Sequence, residues 1–285
     1  MKIFALVLGT AVSFVGLSSP TIAQEEVRFQ ASEIQPTAFK IRKAKAKGIT
    51  LQPTPGIELR GYSYEPEQAG PHPAVIILVS GDGLSAAHMN WAESLSEAGY
   101  VALVVDSYGA RGGTNHMDVH NVNMPDDAYS AFRYLAARPD VVDANRISLL
   151  GFSVGGSHLF TVVGEGNKRI PEGFKPEAAV AVYPTCPVEG AVTAPMLVLA
   201  GAADKQMSLG ICQSFVQQTQ SSPNPVELHV YPGATHFFDN PAYAKGQNVA
   251  ADATKPMWFK DNHYNAEAHS DAVARVLDFL LDTNL

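Results

Sequence analysis

Six short apolar runs punctuate the chain: Ala74 to Val79, Val101 to Val105, Ile147 to Leu150, Ala178 to Tyr183, Met196 to Ala200 and Val226 to Tyr231. Most are continuous rather than alternating, as expected of parallel strands covered on both faces. Between them, or after the last, lie five segments of helical character: His88 to Ala98, Asp126 to Ala137, Val154 to Val163, Leu209 to Thr219 and Ala266 to Leu281. Pro125 followed by Asp126 and Asp127 suits a helix first turn, where proline's missing donor costs nothing and acids meet the positive dipole end. The alternation predicts an α/β fold with a mostly parallel, doubly wound sheet and helices on both faces. Ahead of it, Ile57 to Tyr64 interleaves Glu58, Arg60 and Tyr62 with less polar residues and reads as an antiparallel strand leading into the sheet.

Two connections are long, Gly109 to Met124 and Phe237 to Tyr264, and loops of that length in a compact domain are usually functional. The stretch from Tyr183 to Met196 is short and leaves no room for an inserted cap domain. At the start, Met1-Lys2, the apolar run Ile3 to Leu17 and Ser18 to Ala23 have the charged, hydrophobic and small-residue regions of a secretory signal peptide spanning residues 1–23. That run is shorter than the roughly 20 residues needed to span a bilayer. Residues 24–48, with Lys40, Arg42, Lys43, Lys45 and Lys47, read as a solvated polar leader before the main domain at 49–285.

Charge and cysteine content narrow the picture. Removing residues 1–23 takes away Lys2 alone, moving the net charge from −8 to −9, which argues against nucleic-acid or anionic-membrane partners. Export places the protein in an oxidising, periplasmic or extracellular compartment, and a cysteine count of two predicts one bridge, Cys186 to Cys212.

The decisive segment runs from Arg146 through Gly151-Phe152-Ser153-Val154-Gly155-Gly156: a buried strand, a G-x-S-x-G turn and a helix. Glycines on both sides of the serine permit a tight turn that holds its hydroxyl exposed, and the Val154 N–H faces whatever oxyanion forms. A serine hydroxyl needs a base, and the base needs an acid to orient it. In chain order, Asp204 follows the strand Met196 to Ala200, and His236 follows the strand Val226 to Tyr231. Both stand where parallel sheets gather ligands, outside the carboxyl ends of strands. Asp239 and Asp106 are the reserve acids; His229, inside a strand, is a poorer base. The loop Ser80-Gly81-Asp82-Gly83-Leu84 should supply the second oxyanion donor, with the Asp82 N–H the first choice.

His116, Asp118 and His120 alternate in the first long loop but match no metal signature, and Gly109 to Gly113 lacks the spacing and lysine of a phosphate loop. No metal or other cofactor is expected. Taken together, the elbow, the Ser-Asp-His order, Asp106 to Gly112, Asp127 to Leu135 and Glu227 to Gly233 resemble the dienelactone hydrolase family, in particular its exported, serine-dependent members, from about Gly56 to the C-terminus. The resemblance implies the α/β-hydrolase fold and hydrolysis of esters or lactones. It departs from the founding members in having Ser153 where they have cysteine, and in a Val79-Ser80-Gly81 start to the oxyanion loop where many relatives have His-Gly.

The expected activity is therefore cleavage of small carboxylic esters or lactones through an acyl-enzyme, with Ser153 as nucleophile, His236 as base and Asp204 as orienting acid. Tyr108, Trp258 and Phe259 are candidate apolar contacts for substrate, and Arg111 a candidate partner for an anionic group on it. Two alternatives stand beside this. A prolyl-oligopeptidase-like peptidase shares the triad order but needs a propeller for which the chain has no space, and a non-catalytic binding protein of the same fold would have no use for an intact Ser, Asp and His set. Oligomeric state is not legible.

Overall fold

A computed structural model describes residues 24–33, 36, 38–119, 122–244 and 261–283. The expected signal peptide, His120, Trp258 and Phe259 lie outside the described residues. In chain order the elements are β1 (Gln24–Gln30), α1 (Ala38–Lys45), β2 (Glu58–Tyr64), β3 (His72–Leu78), α2 (Ala86–Glu97), β4 (Val101–Asp106), α3 (Met124–Ala136), β5 (Val142–Phe152), α4 (Val154–Val162), β6 (Ala179–Val182), β7 (Met196–Gly201), α5 (Leu209–Thr219), β8 (Val226–Tyr231) and α6 (Ala266–Thr283).

The strands form one eight-stranded sheet in the order β1-β2-β4-β3-β5-β6-β7-β8. β1 pairs with β2, and β2 with β4, antiparallel; every pairing from β4 through β8 is parallel. The parallel strands are buried almost throughout, which explains their unbroken apolar runs: β4 and β7 have no exposed residue. β8, at the edge, is less covered: Val226 and Tyr231 are buried, Glu227 is exposed and Leu228, His229 and Val230 are half-buried.

The chain runs from β3 out to β4, then back across β3 to β5. With right-handed crossovers, α2 and α3 must cover opposite faces of the sheet. The reversal makes β3 the switch point, where doubly wound sheets open a crevice beyond the strand ends. The loop after β3 and the turn after β5 therefore face one another across that crevice. From Val182 to Met196 the chain passes without a helix, so no cap is inserted there.

Residues 24–48 differ from the expected solvated leader in their first seven positions. Gln24–Gln30 is the outermost strand, with Val27 and Phe29 buried and the neighbouring polar residues exposed. Phe29 stacks on Tyr134 at 5.1 Å. The period-two signal lies in Val27 and Phe29, and too few apolar residues flank them to stand out from a polar stretch. α1 conforms better to the solvated reading, since Ala44 is its one buried position among those described.

Candidate active site

Ser153 sits between β5 and α4 with φ 50° and ψ −112°, a backbone region that few non-glycine residues occupy. The sequence tolerates this turn because Gly155 lets α4 start directly under β3: a Cβ there would come within 2.5 Å of the Leu78 carbonyl oxygen. The Ser153 amide donates to Val182 of β6 at 2.9 Å, and its carbonyl accepts from the Ser157 amide and hydroxyl at 2.8 and 2.9 Å. The elbow is held from three sides while its side chain is left to point into the crevice.

Ser153 Oγ lies 2.9 Å from His236 Nε2, and His236 Nδ1 lies 2.7 Å from Asp204 Oδ2. The three residues come from turns after β5, β7 and β8. The acid and histidine turns are laced together, because Ala202 N–H donates to Tyr231 and Ala203 N–H to Ala234, both at 2.9 Å. The other carboxylate oxygen of Asp204 accepts the amides of Gln206 and Met207 at 2.8 and 3.1 Å. Two amide donors on one oxygen fix the carboxylate plane so that the second oxygen faces the ring. The imidazole itself is fully buried.

Three non-glycine residues have positive φ among those described: Ser153, Tyr183 and Phe237. All three meet at this site. The Tyr183 ring centre is 4.6 Å from that of His236, and the Phe237 ring meets His236 edge-on at 4.4 Å. Strained backbone concentrated around one packed ring is a pattern common at functional sites. Tyr183 and Phe237 carry no motif in the sequence, since their role depends on strands that meet only in the fold.

The reserve acids have other partners. Asp239 is fully buried and accepts from Trp91 Nε1 and Tyr183 Oη, each at 2.8 Å; burial raises its pKa above the ordinary carboxylate value. Asp106 is paired with Arg60 and accepts the Gly109 amide at 2.8 Å. His229 lies away from Ser153, 3.8 Å from Asp271.

Arg111 is engaged by acceptors of the fold. Its guanidinium forks onto Asp127, Nη1 to Oδ2 at 2.9 Å and Nη2 to Oδ1 at 2.8 Å, and Nη1 also donates to the Ser107 carbonyl at 2.6 Å. The bidentate pair with a buried carboxylate gives Arg111 a structural partner, as an alternative to the expected contact with a substrate anion. Tyr108 is likewise a core side chain, 2% exposed, with burial pushing its hydroxyl up to about 12.

The loop after β3 is a tight turn, Gly83 N–H to Ser80 carbonyl at 2.9 Å. Its base rests on buried His88, whose Nε2 accepts the Ser80 amide at 3.3 Å, and His88 is pushed down to about 4 by burial. Among the described residues, the Gly81 and Asp82 amides donate to no acceptor. His116 and Asp118 bind nothing jointly: His116 contacts the Gly81 carbonyl and Asp118 accepts from Thr114, and no group of three or more potential metal ligands occurs among the described residues. Cys186 and Cys212 form a disulfide with Cα atoms 5.0 Å apart, tying the segment after β6 to α5. Beside it lies a cavity of about 420 Å³ lined by Ser157, Phe160, Thr185, Cys186 and Phe215.

The family profile described as "Dienelactone hydrolase family" matches residues 59–283, from β2 through α6. The chain belongs to the dienelactone hydrolase family. It is a carboxylic ester hydrolase with that family's α/β-hydrolase fold. Among its relatives is a Bradyrhizobium sp. protein named "Probable 2-oxo-3-(5-oxofuran-2-ylidene)propanoate lactonase", 26% identical over 201 residues covering 65% of this chain and 81% of the relative. A Yersinia pestis protein named "Putative carboxymethylenebutenolidase" is 26% identical over 264 residues, covering 81% of this chain and 86% of the relative. Among solved structures, the propionate-bound esterase Est2 of Thermogutta terrifontis superposes with a TM-score of 0.60 at 21% identity, covering 79% of this chain and 90% of the other. At that identity the superposition establishes the fold alone.

Proposed function

We propose that this family member cleaves small carboxylic esters and lactones through an acyl-enzyme on Ser153. The observation that carries this is the unbroken chain Ser153 Oγ to His236 Nε2 at 2.9 Å and His236 Nδ1 to Asp204 Oδ2 at 2.7 Å. Ser153 Oγ attacks the carbonyl carbon while its proton passes to His236 Nε2; Asp204 steadies the imidazolium that results. The carbonyl oxygen becomes an oxyanion held by the Val154 N–H at the start of α4 and the Asp82 N–H, which donates to no acceptor among the described residues. Collapse expels the alkoxide, which takes the proton from His236. Water, activated by the same nitrogen, then releases the acid and restores Ser153. In a lactone the departing alkoxide stays on the acyl group, and ring opening is otherwise identical.

Lactones enter because the Bradyrhizobium and Yersinia relatives are named as a lactonase and a butenolidase. Export is part of the proposal, supported by the character of residues 1–23 and by the Cys186–Cys212 bridge, which suits an oxidising compartment. The test is a series of p-nitrophenyl esters of increasing acyl length beside five- and six-membered lactones, with fluorophosphonate labelling in parallel. Hydrolysis of short esters or lactones, and labelling abolished in Ser153→Ala, is the expected result. A folded Ser153→Ala protein that keeps most of its activity overturns it.

A further inference from the structure

The side chains of His116 and Asp118 are both committed to contacts within the fold. Asp118 Oδ2 closes a small turn by accepting the Thr114 amide at 2.9 Å and the Thr114 hydroxyl at 2.6 Å, and the Thr114 hydroxyl holds its carboxyl below the ordinary range. From that turn, His116 reaches the loop after β3 twice. Its backbone N–H and its ring Nδ1 both lie 2.8 Å from the Gly81 carbonyl oxygen. A carbonyl can only accept, so Nδ1 carries the hydrogen.

In a planar trans peptide the carbonyl of one residue and the amide hydrogen of the next point in opposite directions. Two donors pulling the Gly81 oxygen toward the 114–118 turn therefore turn the Asp82 N–H away from that turn. Gly81 is at the same time pressed against the elbow: a Cβ on it would lie 2.9 Å from Val154 Cγ2 and 3.1 Å from His116 Nδ1. The Gly81–Asp82 peptide is thus wedged between His116 and the residue that follows the nucleophile. Tyr243 Oη donates to Asp82 Oδ2 at 3.5 Å and steadies the far side of the same residue.

We propose that His116 is a positioning residue for the oxyanion site: its two hydrogen bonds to the Gly81 carbonyl set the facing of the Asp82 N–H toward the developing oxyanion. This rests on the hydrolase reading above and deepens it. A glycine-rich turn has many peptide orientations available, and a donor that is correctly aimed before the reaction costs no reorganisation in the transition state. Because the oxyanion exists only in the transition state, a misaimed donor should lower kcat and leave KM alone.

The experiment compares wild type, His116→Ala and His116→Asn, the last because its amide nitrogen stands where Nδ1 does and can donate to the same carbonyl. With p-nitrophenyl butyrate, His116→Ala should lose about tenfold in kcat, less than the 10²–10³ for deleting a whole oxyanion donor because the backbone N–H remains. KM should stay within about twofold, and a trifluoromethyl ketone inhibitor, which forms the tetrahedral oxyanion on serine, should weaken in step with kcat. His116→Asn should recover most of both. Unchanged kcat in His116→Ala, a loss confined to KM, or His116→Asn no better than His116→Ala overturns the proposal. A second readout does not depend on turnover: the Asp82 amide resonance in ¹⁵N-labelled protein should shift or broaden in His116→Ala and return in His116→Asn, and an unaffected resonance also overturns it. If wild type shows no Ser153-dependent ester cleavage, the hydrolase reading fails by itself, and the amide resonance still decides whether His116 sets this peptide.

Discussion

Two carboxylates near the candidate site have different partners: Asp204 after β7 meets His236 directly, whereas Asp239 after β8 reaches that ring only through Tyr183. Asp204 meets two backbone amides and the imidazole. Asp239 meets an indole N–H and a phenol in a fully buried pocket, and burial raises its pKa. In the proposed mechanism Asp204 stabilises the charge that appears on His236; Asp239 joins α2, Tyr183 and the histidine turn into a single packed unit. A carboxylate beside the candidate site can thus have an architectural role, and the donor set separates the two.

The largest expected effect tests the catalytic half of this contrast. Ser153→Ala and His236→Ala should each remove about 10⁴-fold or more of kcat, with the double variant little worse, and Asp204→Asn should lose about 10³- to 10⁴-fold. Asp239→Asn, by contrast, should retain kcat within about tenfold, since Tyr183 Oη can accept from the new amide while Trp91 still donates to its oxygen. Steady-state kinetics on short p-nitrophenyl esters, with circular dichroism to verify folding, decides it. Equal losses in Asp204→Asn and Asp239→Asn would erase the distinction.

Stability tests the architectural half. Opening the Cys186–Cys212 bridge, which closes a loop of 26 residues beside the acid turn, should cost about 3.5 kcal/mol on the chain-entropy account, measured by urea unfolding of a Cys186→Ala, Cys212→Ala variant. Asp239→Ala should cost about 3 kcal/mol, because it leaves the Trp91 and Tyr183 donors buried without an acceptor. Arg111→Ala should cost a comparable amount by stranding buried Asp127, and should change KM equally for charged and neutral esters.

The smallest effect is a pH dependence of opposite sign at two buried groups. Asp239 has a raised folded-state pKa, so its contribution to stability is complete below about 3.8 and is lost as the pH rises through the raised value. His88 is lowered to about 4 from 6.5, so its contribution is complete above 6.5 and is lost as the pH falls toward 4. In urea midpoints recorded across that range, Asp239→Asn should remove a component that falls with rising pH, and His88→Gln one that rises with it. The same sign from both variants would contradict the burial assigned to one of them.

What the sequence determined by itself is whatever local pattern can encode. Apolar runs marked the six parallel strands, and the five expected helices began within two residues of expectation, as at Leu209 and Ala266. A serine between glycines at a strand end marked the elbow, and chain order brought Asp204 and His236 to it. The strand at Gln24–Gln30 was faintly legible in Val27 and Phe29, but its pairing with β2 depends on residues about 30 to 40 positions away. Only the tertiary structure decided which carboxylate faces His236 Nδ1, that Arg111 is spent on Asp127, and that His116 grips the Gly81 carbonyl. Each of those depends on which groups meet across strands distant in the chain. A side chain's type tells which bonds it can form, whereas the competition among partners is settled only when packing has brought them within about 3 Å and excluded the water that would otherwise serve them all.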